Sequence, residues 1–387
     1  MKVATLNNIS EEGLKLLPKT AEFVDNPEDA EIILVRSHDM HEMAIHDHLL
    51  GVGRAGAGVN NIPIKKMAEK GVVVFNAPGG NANGVKELLL AGLIMANRHV
   101  LGGIEWVKKN AGSETIQKDM EKAKKKYAGI EIIDKTIGVI GLGHVGGKVA
   151  KACFALGMKV IGYDPYLSDE QRRELPESVA LTTDLDEIYA KSDYISLHLP
   201  LLDSTRHMMD EDVFAKCKEG VIILNYARAG LVDDDALEDA IDKDIVATYV
   251  TDFPNQKTSA MKNVIAFPHL GATTKESTDN CAIMAVKQLL DYKQTGTIKH
   301  AVNFPDLDAP KSKPSSRLVI LHHENDDLLD KTTRMIKEHV TGLKIQNLLN
   351  KTQGDFGATI IDCDKEVDES LKEKLMGIDA VIRVRIL

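Results

Sequence analysis

The stretch TIGVIGLGHVGGKVAKACFALGMKVIGYD, residues 136–164, constrains the fold of this chain more than any other. An apolar run leads into Gly141, Gly143 and Gly146, spaced G-x-G-x-x-G. A helical segment follows to Gly157, and a second apolar run ends in Asp164. Strand, glycine turn, helix and strand in this order make a βαβ unit that binds a dinucleotide. Gly141 permits the tight turn, Gly143 lets the backbone approach a pyrophosphate, and Gly146 lets the helix pack closely on the sheet. Amides at the helix start, at His144 and Val145, then face the phosphates. Asp164 is placed to accept hydrogen bonds from both ribose hydroxyls and to repel a 2′-phosphate. Pro165 and Tyr166 follow it rather than an arginine, so the expected cofactor is NAD, not NADP.

A chain of 387 residues predicts two or three domains. Residues 1–98 alternate β-rich runs (VATL, EIILV, GVVVF) with helix-like stretches, the pattern of a parallel α/β sheet. From Lys135 the alternation restarts with KTIGVI, MKVIGYD, DYISLHL, GVIILN, IVATYV and NVIAF. A long helical stretch around Cys281 to Tyr292 leads into AVNFPDLDAPKSKPSS, which has the composition of a linker. Residues 317–387 then read βαββαβ, a ferredoxin-like order.

A formal net charge of -10 argues against broad nucleic-acid or membrane-surface binding. The four cysteines are scattered, without metal-type spacing, and KAKKK at 122–126 reads as a solvated helix face. No run reaches the length of a membrane span and the N-terminus lacks the form of a signal peptide, so the expected compartment is the cytoplasm.

In an open α/β sheet, ligands bind beyond the carboxyl ends of the strands. Arg228 follows the strand GVIILN and His269 follows NVIAF. Hydride transfer from a hydroxyl-bearing carbon to NAD needs a base for the hydroxyl proton and a cation for a neighbouring carboxylate. Histidine suits the first task and arginine the second. Taken singly, each also reads as an ordinary loop or surface residue.

GLGHVGG with YDP, LHLPLLDSTRHMM, NYARAGLVDDDAL and PHLGATT, in this order, resemble the NAD-dependent D-2-hydroxyacid dehydrogenases. The segments GRAGAGVNNI, FNAPGGNANGVKELLLAGLIMANR and AVNFP are most similar to those members that oxidise 3-phosphoglycerate. The resemblance covers essentially the whole chain and implies oxidation of 3-phospho-D-glycerate to 3-phosphohydroxypyruvate, the first step of serine biosynthesis. It implies His269 as acid/base, Arg228 as holder of the substrate carboxylate, and Arg54, Asn81 and, more weakly, Arg36 as substrate contacts. It extends the NAD contacts to Pro200, Thr205, Ala227, Asp252 and Gly271. A hydroxypyruvate or glyoxylate reductase, or a non-catalytic NAD-binding regulator, are the competing readings.

The implied architecture has two doubly wound parallel sheets and a small third domain. Residues 1–98 and 284–304 form a discontinuous flavodoxin-like substrate domain, and 99–283 form the Rossmann domain. Residues 305–316 link these to an ACT-like domain at 317–387. A homodimer is expected from the same resemblance, with a homotetramer as the alternative.

Two departures stand out. Where the family has DVFxxEP, with a glutamate that hydrogen-bonds the histidine, this chain reads TDFPNQK, which puts Gln256 at the glutamate position and leaves Asp252 as the nearest acid. Where the serine-binding form of the last domain has HENRPG and a GVNI-like stretch, this chain has HENDDL (323–328) and GLKI with Lys344, so weak or absent inhibition by serine is expected.

Overall fold

The computed structural model describes all residues, Met1–Leu387. Two compact units divide the chain: Met1–Asn81 with Lys275–Leu387, and Ala82–Thr274. In the first, β1 (Lys2–Leu6), α1 (Glu11–Leu14), β2 (Glu22–Phe23), β3 (Ile32–Val35), β4 (Gly51–Arg54), α2 (Ile64–Glu69) and β5 (Val73–Phe75) supply a parallel sheet of order β2-β1-β3-β4-β5. Strands β3 and β5 read IILV and VVF with every residue buried, as a parallel strand covered on both faces requires.

In the second unit, α3 (Ala82–Asn97), α4 (Val100–Lys109) and α5 (Ile116–Ala123) precede a seven-stranded parallel sheet. Its strands are β6 (Thr136–Ile140), β7 (Lys159–Tyr163), β8 (Ala180–Thr182), β9 (Tyr194–Leu197), β10 (Val221–Asn225), β11 (Val246–Thr251) and β12 (Val264–Ala266). Between them run α6 (His144–Ala155), α7 (Asp169–Glu174), α8 (Leu185–Lys191), α9 (Glu211–Phe214) and α10 (Asp234–Asp242). The order is β12-β11-β10-β9-β6-β7-β8, so the winding reverses beside β6, the switch point where such sheets bind ligands. Val85, Leu89 and Leu93 of α3 share a core with Val149 and Ala150 of α6. For this reason the break expected at 98/99 falls one helix earlier, at 81/82.

The chain returns through α11 (Lys275–Thr295), whose Ala285 and Leu289 pack in the core of the first unit, so the return falls at 274/275 rather than 283/284. Then come β13 (Ser316–His323), α12 (Leu328–His339), β14 (Ile345–Gln353), β15 (Phe356–Cys363), α13 (Glu369–Met376) and β16 (Val381–Ile386). They form the ferredoxin-like βαββαβ arrangement, an antiparallel sheet of order β14-β15-β13-β16. One face of this sheet (Leu318, Ile320, Ile361) packs on Ile336, Leu371 and Leu375 of α12 and α13. The other face (Val319, Leu321, Ala358, Ile360) shares a core with Val73, Phe75, Leu289 and Tyr292.

The C-terminal sheet is therefore part of the first unit and not a module on a spacer. Residues 305–316, expected as a linker, are held down: Leu307 is fully buried and bridges Ile298. Arg317 forms a buried ion pair with Asp362 at 2.6 Å and donates to the carbonyls of Thr295 and Pro310 at 3.0 and 2.7 Å. Removing one partner of such a pair strands a buried charge.

Candidate active site

The loop between β6 and α6 has the geometry a pyrophosphate needs. Gly141 has φ +90°, and a Cβ there would lie 2.7 Å from the carbonyl oxygen of His198. A Cβ on Gly146 would sit 1.8 Å from the carbonyl oxygen of Gly141, so α6 seats against the turn only without a side chain. At Gly143, which caps α6, nothing lies within 4 Å of the added atom. Two contacts are closed and one approach is open, with the amides of exposed His144 and of Val145 at the helix start. These residues fit a dinucleotide phosphate.

Asp164, at the end of β7, accepts from the amides of Leu142 and Tyr166 at 2.8 and 2.9 Å. Its carboxylate anchors the glycine loop and, with two lone pairs per oxygen, keeps acceptor capacity for ribose hydroxyls. His198, after β9, shares a hydrogen bond between Nε2 and Ser196 Oγ at 2.8 Å, and burial pushes its pKa down to about 3. Burial thus favours its neutral form near neutral pH. Thr205 closes the next turn, donating to the Pro200 carbonyl at 2.7 Å and accepting from the Leu202 amide at 2.9 Å.

Beyond β10, the fully buried Asn225 shapes the turn that carries Arg228. Its Oδ1 accepts from the amides of Ala227 and Arg228 at 3.1 and 3.3 Å, and its Nδ2 donates to the Arg228 carbonyl at 2.9 Å and to the Tyr249 hydroxyl at 3.1 Å. Half-buried Arg228 donates from one guanidinium nitrogen to the Ala227 carbonyl at 2.6 Å, leaving other donors of the fork for a carboxylate.

His269 stands after β12 with φ 55°, a left-handed conformation that costs energy in a non-glycine residue. Buried Asp252, just past β11, holds this loop: its two oxygens accept from the amides of Leu270 and Gly271, each at 2.7 Å. Burial raises the Asp252 pKa above the usual carboxylate value, against the pull of those two hydrogen bonds. Asp252, which the family resemblance offers to the nicotinamide amide or to His269, also holds the backbone beneath the histidine, and Gly271, where a Cβ would come 2.9 Å from Asp252 Oδ2, makes room for that contact.

Gln256 does not meet His269. It is exposed, and its neighbours tie their loop to α10: Asn255 Nδ2 donates to Asp234 at 2.6 Å, and Lys257 pairs with Asp235 and Glu238. These bonds hold the loop against α10. The side chain that lies against His269 is Phe253, with ring centroids 4.6 Å apart. Arg228 Cζ lies 5.6 Å from the centroid of the same ring. Sequence reasoning singled out neither Phe253 nor Asn225 as functional. The only signal for Asn225 is an amide residue closing the apolar run GVIILN.

In the first unit, Arg36 and Arg54 leave the carboxyl ends of β3 and β4, and Arg54 Nε donates to the Arg36 carbonyl at 3.1 Å. Asn7, with φ 69° after β1, accepts from the amides of Ser37 and His38 and shapes the same edge. Asn81 is half-buried in the turn after Gly79.

Residues 90–271 match the family model described as D-isomer specific 2-hydroxyacid dehydrogenase, NAD binding domain. The chain is 31% identical over 333 residues to the D-3-phosphoglycerate dehydrogenase of Methanocaldococcus jannaschii, covering 80% of this chain and 61% of that one. It is 37% identical over 254 residues to the hydroxypyruvate reductase of Thermotoga maritima, covering 63% and 77% respectively. It spans only 60% to 61% of the length of the two archaeal phosphoglycerate dehydrogenases it matches. Among solved structures, the NAD+-bound 3-phosphoglycerate dehydrogenase of Entamoeba histolytica superposes with a TM-score of 0.60 at 27% identity, over 79% of this chain and 99% of that one.

Proposed function

Because the chain belongs to the D-isomer-specific 2-hydroxyacid dehydrogenase family, we propose that it oxidises 3-phospho-D-glycerate to 3-phosphohydroxypyruvate with NAD, the first step of serine biosynthesis. The observation that carries this reading is 31% to 34% identity to two phosphoglycerate dehydrogenases over 80% of the chain, and the placement of Arg228 and His269 beyond the carboxyl ends of strands in one sheet supports it. NAD, when bound, supplies the hydride acceptor. Arg228 holds the substrate carboxylate through its fork, and His269 takes the proton of the adjacent hydroxyl. Arg54 and Asn81 are assigned to the carboxylate and phosphate side of the substrate, and Arg36 to the phosphate.

Identity to a hydroxypyruvate reductase favours a second reading, reduction of an unphosphorylated 2-oxo acid. NADH absorbance with purified protein, NAD and 3-phosphoglycerate, beside D-glycerate and D-lactate, separates the two. Turnover of the phosphorylated substrate alone supports the first reading, and turnover of D-glycerate alone replaces it with the second.

We also propose a cytoplasmic homodimer. Val100, Leu101, Ile104, Val107 and Met120 on α4 and α5 are exposed apolar side chains, more than an isolated surface explains. A Leu101→Asp, Val107→Asp pair run beside the parent in sedimentation velocity should give monomer. Serine is expected not to inhibit below millimolar concentration, because the HENDDL turn is closed by its own Asn325, whose Oδ1 accepts from the Asp327 amide at 3.0 Å.

A further inference from the structure

The side chain between the two residues assigned to chemistry is an aromatic ring. Phe253 is half-buried directly beyond β11, and its amide donates to Thr251 Oγ1 at 3.0 Å. Its ring meets His269 at 4.6 Å with planes 47° apart, and the Arg228 guanidinium carbon lies 5.6 Å from its centroid. Pro254 follows and restricts the backbone at that point.

No carboxylate is hydrogen-bonded to the imidazole. Each oxygen of Asp252 accepts from a backbone amide, that of Leu270 or of Gly271, and Gln256 lies exposed between Asn255 and Lys257, which bind α10. The charged groups facing His269 in this unit are thus Asp252, set behind the backbone, and Arg228, across the ring. When His269 takes a proton it becomes a cation beside an aromatic ring, a contact that favours the charged form and works against the like charge of Arg228 across the ring. Arg228 uses the same ring as a rest. Its carboxylate-binding fork and the base for the adjacent hydroxyl are therefore indexed to one rigid surface.

We propose that Phe253 is a positioning residue for the reaction: its ring sets the distance between Arg228 and His269 and stabilises the protonated imidazole. This rests on the reading of the chain as a 2-hydroxyacid dehydrogenase. It assigns a role to a side chain that touches the two acting residues and not the substrate. A ring at this place gives the protonated base a weaker electrostatic partner than a carboxylate would, and it leaves the imidazole N–H groups unbound.

The test compares Phe253→Met, which keeps the volume and loses the ring, with Phe253→Tyr, which keeps the ring. Two readouts are used. In the first, kinetics on whichever 2-hydroxy acid the parent oxidises, Phe253→Met should raise KM about tenfold and lower kcat several-fold, while Phe253→Tyr stays within about threefold of the parent. In the second, NMR titration of the histidines, with the His269 signal assigned by its loss in His269→Gln, Phe253→Met should lower the His269 pKa by about half a unit. Phe253→Tyr should leave it in place.

An active parent whose Phe253→Met variant shows neither change overturns the proposal and leaves the functional reading standing. An inactive parent whose His269 titration still moves in Phe253→Met refutes the functional reading but keeps the ring's effect on the histidine. A variant that binds NADH and melts like the parent yet loses activity equally with Met and with Tyr also overturns the proposal, since volume rather than the ring would then be what matters.

Discussion

Two loops leave the carboxyl edge of the same seven-stranded sheet, and they are built in opposite ways. The glycine loop after β6 works by subtraction: the close contacts at Gly141 and Gly146 exist because no side chain is there. The histidine loop after β12 works by addition. His269 keeps its left-handed backbone because Asp252 hydrogen-bonds the two residues after it, and its ring is backed by Phe253. The first design is local, complete within a few residues. The second gathers residues from two strand ends, and Asp252 and Phe253 can be altered one at a time.

The contrast predicts different failures. The largest effect belongs to the histidine loop: His269→Gln should lower kcat/KM by about a thousandfold while NADH binding, read by fluorescence, stays unchanged. Next is the glycine loop, where Gly146→Ala forces an atom against the Gly141 carbonyl. It should cost about 3 kcal/mol by urea unfolding and weaken NADH binding as well, because structure and site coincide there.

Asp252→Ala comes third. It leaves two amides beneath His269 without their acceptor and should cost about 2 kcal/mol, with kcat falling more than NADH affinity. The Asp252 pKa is raised on folding, so the folded state favours its protonated form. Its contribution is full below the ordinary carboxylate pKa and is lost as pH rises through the raised value, and Asp252→Asn should flatten melting temperature against pH in that window.

The neighbourhood of the glycine loop carries the opposite dependence through His198. Its pKa is depressed to about 3, so its contribution is present above the unfolded value near 6.5 and is lost as pH falls toward 3. Stability should decline by at most about 1.4 kcal/mol per pH unit from this group, and a steeper decline in the parent than in His198→Asn checks it. The smallest effect is expected at Gln256. Gln256→Ala should change kcat/KM less than about twofold, and Gln256→Glu should leave the acidic limb of the pH profile in place, since the loop is tied to α10. A moved limb would show that the loop turns toward the histidine in solution.

This difference in construction also decides what the amino-acid order revealed. The strands that sequence patterning outlined in both parallel sheets, and the glycine turn, follow from neighbours along the chain and were legible. Strand β4 was not, because GVGR carries two glycines where the sheet has no room: a Cβ on Gly51 or Gly53 would lie 2.9 or 2.7 Å from Leu289, far along the sequence. The docking of the C-terminal sheet leaves only a trace in the sequence. RLVILHH lacks the polar alternation of a strand with one wet face, and all but the last residue of β13 is buried. At the site, the strand-end positions of Arg228 and His269 could be read, but not what touches them. Gln256 was aligned by its place after a Phe-Pro pair, while the path of its loop is set by Asn255 and Lys257 on a helix nearly twenty residues earlier.

The shared core of the first unit bears on the order in which the molecule is made. Strands β1 to β5 are translated first, yet Val73 and Phe75 find their cover only in Leu289, Tyr292 and the inner faces of β13 and β15. Residues 82–274 are continuous and hold their own core, so they can close while the earlier strands still wait. At common elongation rates that wait lasts roughly tens of seconds, long enough for bare strand edges to meet chaperones or each other. Residues of β1 to β5 leave the ribosome before the helix and strands that cover them, and a pause in translation between β5 and β15 prolongs their exposure.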